Sequence, residues 1–210
     1  MDNTVIISFK SLIDDLDKVI LDQAFVTIKS ITDSDKAALT YKVETVDPKV
    51  VAPSLGAPLT ITLNKKYKKD ETFNIKIAYE TTDKVTAISW MTKAQTSSGL
   101  HPFLYSENQP SWARSWIIGQ DTPSIKTTYE ATITAPAELL ARMSAKLVSE
   151  TVSEDKKTKV TKLKMDMPIA TYLMAIVVGE LEYRKIGDRT GCYAEPSQIE
   201  RVANELSELE

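Results

Sequence analysis

Residues 109–126 read Q-P-S-W-A-R-S-W-I-I-G-Q-D-T-P-S-I-K, and strand-like runs lie before and after them. Trp112 and Trp116 flank Arg114 within this stretch, and Asp121 follows in a Gln-Asp-Thr-Pro turn. We expect Trp116 to pack in the core and Arg114 to form a structural ion pair with Asp121. A cation–π stack of Arg114 on a neighbouring indole is the alternative contact for the guanidinium. This stretch is therefore where the core and any binding edge are expected to meet.

Upstream of this stretch, the chain alternates apolar and polar residues with the period of a half-buried β-strand. Strands are expected in the runs 4–9, 18–31 (as one strand or two), 39–46, 59–63, 73–79, 85–91 and 101–106. The runs 59–63 and 73–79 together predict a hairpin over the turn 65–70. That turn reads K-K-Y-K-K-D, which is more typical of a solvated hairpin tip than of a nucleic-acid patch.

Downstream, the same alternation predicts a strand at 125–133 and a hairpin of 143–150 with 158–165. Residues 138–142 are expected to form one helical turn behind a proline. The run 171–186 is the most apolar, and its β-branched residues favour a central strand over a buried helix.

The last residues differ from the rest of the chain. Ser197 and Glu200 fit the S-x-x-E capping box, and an amphipathic helix is expected to run from there to the final residues. The chain is thus predicted to be mainly β, with about a dozen strands and one C-terminal helix.

The overall composition is that of an ordinary globular protein. The chain has 210 residues, 42% hydrophobic and 26% charged, and a net charge of -3, so no global field recruits nucleic acid or an acidic membrane. No apolar run approaches the ~20 residues that cross a bilayer, and residues 1–11 lack the pattern of a signal peptide. A single cysteine, Cys192, excludes an internal disulfide and favours a reducing compartment, the cytoplasm.

The sequence offers little for catalysis. His101 is the only histidine, whereas the common zinc hydrolase site takes two or three imidazoles. The chain also lacks a G-x-S-x-G elbow and a glycine-rich phosphate loop. His101 could serve as the base of a Cys–His or Ser–His pair, but a structural role is the favoured interpretation. Cys192 is expected to be a small buried or turn residue.

Several motifs carry a family resemblance. The segments H-P-F-L-Y-S-E-N-Q (101–109), A-R-S-W (113–116) and Q-D-T-P-S-I-K-T-T-Y (120–129) resemble the N-terminal domain of zinc aminopeptidases related to leukotriene A4 hydrolase. The similarity continues in the segments 87–99, 135–145 and 169–190. It covers most of the chain from Leu59 onward and is more diffuse before that residue.

The resemblance implies a saddle-like, multi-sheet antiparallel or mixed β domain over residues 1–195. It implies that the helix over 196–210 marks the boundary to a zinc-binding catalytic domain. That domain would carry an H-E-x-x-H helix and a glycine-methionine-glutamate-asparagine motif, and both are absent from this sequence. The chain itself would be non-catalytic and would hold no cofactor, with zinc in the catalytic domain. Its partners would be that domain and the N-terminus of a peptide substrate, and neither nucleic acid nor a membrane.

The resemblance also assigns candidate substrate-binding residues. Glu107, Asn108 and Gln109 match positions at the active-site edge, where a glutamine side chain helps to bind the peptide. Gln109 is the position carried over, since an amide can both donate to and accept from a peptide backbone. The next residues, 110–112, read P-S-W where the family usually has alanine, a β-branched residue and histidine.

Two classes of function follow from these expectations. The first is the non-catalytic, substrate-edge domain of an aminopeptidase. The alternative is a stand-alone or engineered β scaffold or interaction protein derived from that domain. A C-terminal helix that folds back on its own sheet would favour the second class.

Overall fold

A computed structural model describes residues 1–209, which contain fifteen β-strands, short 3-10 turns and one α-helix near the C-terminus. The prediction of a mainly β chain with several antiparallel sheets and one terminal helix is confirmed. The chain divides into two compact units. Unit 1 comprises residues 1–87, 107–125 and 170–172, and unit 2 comprises residues 88–106, 126–169 and the chain from Leu173. No helix among residues 1–209 is long and apolar enough to cross a membrane.

Unit 1 is a sandwich of two three-stranded antiparallel sheets. Its strands are β1 (Asp2–Lys10), β2 (Leu16–Gln23), β3 (Val26–Thr32), β4 (Thr40–Val43), β5 (Ala57–Tyr67) and β6 (Thr72–Thr81). The sheet orders are β1-β6-β3 and β2-β5-β4. The two sheets bury one shared core cluster, in which Leu59 and Ile61 of β5 lie with Ile75 and Ile77 of β6. The core therefore forms between the two sheets.

Strands β5 and β6 do not form the predicted hairpin. They follow each other in the chain but belong to different sheets, so that prediction was wrong. Ile61 of β5 pairs with Val19 of β2, and Ile77 of β6 pairs with Val5 of β1. Because each strand pairs with a partner from elsewhere in the chain, both apolar faces can be buried against each other. The alternation of residues is the same in either arrangement, which is why the sequence pattern did not separate them.

Two further strands of unit 1 differ from expectation in detail. The run 18–31 forms two strands, β2 and β3, and Phe25 between them has a positive φ of 55°. Strand β4 is shorter than the predicted run 39–46 and is exposed along its length, so the half-buried interpretation was wrong there. β4 lies at a sheet edge, where only one neighbouring strand covers it.

Unit 2 contains three further sheets, of four, three and two strands. Its elements are β7 (Ile88–Met91), β8 (Phe103–Ser106), β9 (Lys126–Pro136), β10 (Leu140–Met143), β11 (Lys146–Val152), β12 (Thr158–Ala170), β13 (Ile176–Gly179), β14 (Glu182–Lys185), β15 (Gly191–Ala194) and α1 (Ile199–Glu205). The sheet orders are β10-β13-β8-β7, β11-β12-β9 and β14-β15. The hairpin of β11 and β12 is confirmed. The apolar run 171–186 supplies the predicted central strand as β13, although β14 also arises from it.

The helical turn predicted for residues 138–142 was wrong. Leu139 donates its N–H to the carbonyl of Pro136 in a turn, and the chain then enters β10. Leu140 pairs with Gly179 and Met143 pairs with Ile176. The open edge of β13 gives this segment a hydrogen-bonding partner, and this tertiary pairing outweighs the local helical preference.

The C-terminal helix is shorter than predicted and is capped differently. It ends at Glu205, and its N-cap residue is Gln198, which makes no side-chain capping bond. The predicted Ser197–Glu200 capping box is therefore wrong, and Glu200 forms an ion pair with Arg184 of β14 instead. The helix packs on β14 and β15, with Ile199 buried. Its apolar stripe is thus partly covered by a hairpin of its own unit.

Candidate functional site

The segment 107–125 is fixed to the sandwich of unit 1 by backbone hydrogen bonds. The N–H of Glu107 donates to the carbonyl of Ala87 at 2.8 Å. The N–H of Ala24 donates to the carbonyl of Arg114 at 3.0 Å, and the N–H of Asp22 donates to that of Gly119 at 2.7 Å. Because these bonds are distributed along the segment, its backbone is held in a defined position.

The predicted ion pair of Arg114 with Asp121 is confirmed. Nε of Arg114 lies 3.0 Å from Oδ2 of Asp121, and Nη1 lies 3.2 Å from Oδ1 of Asp22. The guanidinium also donates to the backbone carbonyls of Asp121 and Leu55. The donors of Arg114 therefore go to carboxylate and carbonyl oxygens, and no cation–π contact to Trp112 or Trp116 occurs among residues 1–209.

Asp121 is the centre of this buried network. Its side chain is only 2% exposed. Its Oδ1 accepts a 2.6 Å hydrogen bond from the hydroxyl of Thr171, and its own N–H donates to Asp22. Each carboxylate oxygen is thus occupied by a donor from unit 1, which makes the network structural and leaves Asp121 poorly suited to bind a ligand.

Trp116 is buried as predicted, and its polar atoms are bonded. Its indole Nε1 donates to Oδ1 of Asn108 at 2.8 Å, and its carbonyl accepts a 2.8 Å bond from the hydroxyl of Tyr79. Burial raises the pKa of Tyr79 to about 12, so the phenol keeps its proton and remains a donor. Asn108 therefore orients the tryptophan that anchors the segment.

The three predicted substrate-binding residues have different environments. Asn108 is buried, whereas Glu107 and Gln109 on either side are exposed. Oε1 of Glu107 accepts the backbone N–H of Gln109 at 3.3 Å, and the Gln109–Pro110 peptide bond is cis. No described hydrogen bond uses the side-chain amide of Gln109, which leaves both its donors and its acceptor available. The substrate-binding role of these residues stays a prediction.

The remaining candidates for chemistry lie in unit 2. Nδ1 of His101 is 3.9 Å from Oε1 of Glu138, on a partly exposed side chain. Cys192 is a buried free cysteine on β15, which agrees with the interpretation of a small buried residue. Within residues 1–209, no group of three or more histidine, cysteine, aspartate or glutamate side chains is placed to hold a metal ion.

Sequence reasoning missed three partners of the central segment: Asp22, Tyr79 and Thr171. Each lies far from residues 107–125 in the chain, and Tyr79 fitted the pattern of an ordinary strand residue. No local motif marks such partners, because a hydrogen bond between distant residues leaves no periodic signal in the sequence.

Residues 1–173 match the family described as the Peptidase M1 N-terminal domain. The chain belongs to this family. The resemblance seen in the sequence motifs is thereby confirmed.

Named relatives agree with this assignment. The chain is 37% identical over 205 residues to leukotriene A-4 hydrolase of Xenopus laevis, covering 97% of this chain and 33% of that protein. It is 31% identical over 207 residues to leucine aminopeptidase 2 of Phaeosphaeria nodorum, covering 97% of this chain and 32% of that protein. The chain thus spans about a third of the length of these curated relatives.

Solved structures show the same architecture. The structure of yeast leukotriene A4 hydrolase in complex with bestatin superimposes with a TM-score of 0.83 at 28% identity, over 98% of this chain and 30% of that one. An M1 zinc metallopeptidase from Deinococcus radiodurans gives a TM-score of 0.68 at 19% identity, over 91% of this chain and 41% of that one. At 19% identity, the similarity to the Deinococcus radiodurans structure shows a common fold and nothing more.

Proposed function

We propose that these 210 residues act as the non-catalytic N-terminal domain of a zinc aminopeptidase of the leukotriene A4 hydrolase type. The observation that carries this proposal is the family match over residues 1–173, together with the share of about a third that the chain covers in its relatives. The catalytic residues of such a protein would lie in the part that the chain does not match. A catalytic domain is therefore the proposed partner.

Zinc would be held by that catalytic domain. The residues described here contain no group of side chains suited to a metal, and the single histidine lies beside one carboxylate at 3.9 Å. A hydrolytic zinc site usually takes three protein ligands and one water. The residues present do not fit that site, so the contribution of this chain would be to shape and hold the substrate edge.

We propose that Gln109 is the residue of that edge that contacts the peptide backbone. Its side chain is exposed and unbonded within residues 1–209, and the neighbouring Asn108 and Trp116 are locked together in the core. A free amide can donate to a carbonyl and accept from an N–H, and the rigid anchor beside it fixes the backbone from which the Gln109 side chain extends. Glu107 would orient the turn through its bond to the Gln109 N–H.

We also propose that α1 lies near the boundary between residues 1–195 and the catalytic domain. Beyond the buried Ile199, its apolar residues are only partly covered by β14 and β15. An uncovered apolar face on a short helix is stabilised when a second domain packs against it.

A chimera tests the substrate-edge role. The matching part of Phaeosphaeria nodorum leucine aminopeptidase 2 would be replaced by this chain, and aminopeptidase activity would be measured with short peptides. Gln109→Ala is expected to lower kcat/KM about fivefold to tenfold, because one hydrogen bond to the substrate is lost. Gln120→Ala is the matched control, since Gln120 is an exposed glutamine of the same segment. Equal activity of both variants in a folded, zinc-loaded chimera would show that Gln109 has no such role.

The chain by itself is expected to have no peptidase activity. The purified 210-residue chain would be assayed with an aminoacyl fluorogenic substrate, with added zinc and with a chelator. Turnover that the chelator abolishes would contradict the proposal of a non-catalytic domain.

The packing of α1 on β14 and β15 is the observation that favours the alternative, a stand-alone or engineered β scaffold. In that case the helix would be stable without a second domain. Limited proteolysis measures this directly: rapid trimming of residues after Ser197 supports the boundary role, and resistance to trimming supports the scaffold.

A further inference from the structure

The side chain of Ser115 is buried and makes two hydrogen bonds. Ser115 ends the short 3-10 turn Ala113–Ser115, and its exposed fraction is 0%. Its Oγ accepts the backbone N–H of Ala87 at 3.1 Å. The same hydroxyl donates to the backbone carbonyl of Trp112 at 2.8 Å. Because a hydroxyl can accept and donate at once, Ser115 joins two parts of unit 1 that are far apart in the sequence.

These two bonds belong to a longer path of backbone hydrogen bonds. The carbonyl of Ala87 accepts the N–H of Glu107 at 2.8 Å, and the N–H of Trp112 donates to the carbonyl of Asn108 at 2.9 Å. Ser115 is therefore connected to Glu107 through Ala87, and to Asn108 through Trp112. All of these residues lie in unit 1.

The turn 109–111, which begins with the exposed Gln109, lies inside this path. The path holds the backbone at Glu107 before the turn and at Trp112 after it. A turn whose two ends are fixed has fewer accessible conformations than one fixed at a single end. The hydroxyl of Ser115 thus restricts the backbone from which the Gln109 amide extends.

The 3-10 turn that carries Ser115 is itself fixed to unit 1. The N–H of Ala24 donates to the carbonyl of Arg114 at 3.0 Å. The guanidinium of Arg114 is bound by the carboxylates of Asp121 and Asp22. Ser115 therefore acts from a backbone that is held independently of the turn 109–111.

We propose that Ser115 is a positioning residue, which holds the turn 109–111 so that the Gln109 amide meets the backbone of a peptide substrate. This inference rests on the proposed function, because the effect of Ser115 passes through Gln109. Without the hydroxyl, the buried N–H of Ala87 has no acceptor, and the carbonyl of Trp112 keeps only the N–H of Ser115. The turn then has to be ordered when the peptide binds, which weakens binding.

Ser115→Ala in the aminopeptidase chimera described above tests this role. The KM for trialanine is expected to rise about threefold while kcat stays unchanged, because the contact with the amide is weakened equally in the bound substrate and in the transition state. Ser115→Cys fills the same space with a group that forms weaker hydrogen bonds, so its KM is expected to lie between those of the wild type and Ser115→Ala.

Ser11→Ala is the matched control. Ser11 is another buried serine of unit 1, 1% exposed, and its hydroxyl donates to the carbonyl of Ile13 at 2.7 Å. This substitution removes a comparable buried hydroxyl that has no bond to the path around Gln109. Its KM and kcat are expected to equal those of the unmodified chimera. A rise in KM as large as that of Ser115→Ala would show a general effect on the fold and would overturn the proposal.

A double variant, Gln109→Ala with Ser115→Ala, separates positioning from an independent effect. Once the amide is gone, removal of the Ser115 hydroxyl is expected to change KM by less than about 1.5-fold. If Gln109→Ala alone impairs the chimera, then an unchanged KM for Ser115→Ala, or effects that multiply in the double variant, overturn this proposal only. Wild-type activity of Gln109→Ala overturns the proposed role of Gln109 and the role of Ser115 with it.

Amide exchange in the 210-residue chain gives a measurement without the chimera. In Ser115→Ala the amides of Ala87 and Trp112 are expected to exchange about tenfold faster than in the wild type, because the turn opens locally. The amide of Ala24 is expected to keep its wild-type rate, and Ser11→Ala is expected to leave all three rates unchanged. Wild-type exchange at Trp112 in Ser115→Ala would show that the hydroxyl does not hold the turn, and the proposal would be wrong.

Discussion

At the scale of single residues, the segment 107–125 is held by polar side chains that are buried and bonded. Asp121 binds Arg114 and Thr171, while Asn108 accepts the indole N–H of Trp116 and Tyr79 donates to its backbone carbonyl. Among the described residues, every buried side-chain nitrogen and oxygen has a hydrogen-bond partner. A buried polar group without a partner is costly, so each of these contacts stabilises the position of the segment strongly.

Asp121→Asn tests the buried ion pair. The substitution keeps the shape but removes the charge that faces Arg114, whose side chain is 15% exposed. We expect the free energy of unfolding to fall by about 3 kcal/mol, because the largely buried guanidinium of Arg114 loses one of its two carboxylate partners and keeps only Asp22. Urea denaturation measures this change. Asp35→Asn, at an exposed turn residue, is the control and is expected to change stability by less than about 0.5 kcal/mol.

Tyr79 predicts a dependence of stability on alkaline pH. Its pKa in the folded chain is raised to about 12 by burial, above the ordinary value of 10.0. The folded state therefore holds this proton more tightly, and the resulting stability is complete below pH 10 and is lost as the pH rises toward 12. The loss from this group amounts to about 2 to 3 kcal/mol.

Tyr79→Phe removes this titration. Its urea denaturation midpoint is expected to be lower than that of the wild type at pH 9, because the Trp116 carbonyl loses its donor. The difference between the two chains should shrink between pH 10 and 12. A constant difference over that range would contradict the assignment of the raised pKa to Tyr79. Tyr41→Phe, at the exposed edge of β4, is the matched control.

At the scale of elements, pairing with distant strands decides the secondary structure more than local preference does. Residues 138–142 have a helical pattern yet contribute to β10, because β13 offers an open edge. The helix α1 begins after Gln198 and does not use the Ser197–Glu200 capping box, because Glu200 pairs with Arg184. The local sequence patterns thus predicted most strands correctly, but they did not predict the strand pairing of residues 140–143 or the ion pair of Glu200.

Gly179→Ala tests the packing of β13. A Cβ atom at this glycine would meet the ring of Phe103 from β8 well inside van der Waals distance. We expect this substitution to destabilise unit 2 by about 1 to 3 kcal/mol through overpacking. Gly119→Ala is the control, because no atom lies within 4 Å of its added Cβ. Thermal unfolding followed by circular dichroism compares the two, and equal melting temperatures would contradict the close contact.

At the scale of the whole molecule, the chain forms two units, and unit 1 is assembled from three separate segments. Its core requires that two three-stranded sheets bury their inner faces against each other. The hydrophobic effect favours this arrangement, since a two-stranded hairpin would leave one apolar face in contact with water.

A pair of isoleucines in one sheet tests the sandwich. Ile61 on β5 is fully buried, whereas Ile20 on the neighbouring β2 is 55% exposed on the outer face. Ile61→Ala is expected to lower the free energy of unfolding by about 2 to 5 kcal/mol, and Ile20→Ala by less than about 0.5 kcal/mol. Guanidinium denaturation measures the decrease in the free energy of unfolding for each variant. Similar decreases for Ile61→Ala and Ile20→Ala would contradict the two-layer core.

The contacts within residues 107–125 could be predicted from the sequence, but the distant residues that bond to this segment could not. The ion pair of Arg114 with Asp121 and the burial of Trp116 were predicted, since the residues lie within one short stretch. Asp22, Tyr79 and Thr171 were not, because they approach that stretch only after the chain has folded. The substrate-binding role of Gln109 is a prediction that the chimera can test.

The sequence alone determined the fold class, most strand positions and the family. The alternation of apolar and polar residues and the short motifs are local properties of the sequence, which do not depend on the tertiary structure. The tertiary structure decided which strands pair, that β5 and β6 face each other across a core, and that α1 packs on β14 and β15. These features depend on hydrogen bonds and burial between residues far apart in the chain. An apolar–polar alternation with a period of two residues is the same for a hairpin and for two facing sheets. Only the tertiary structure shows which of the two arrangements β5 and β6 adopt.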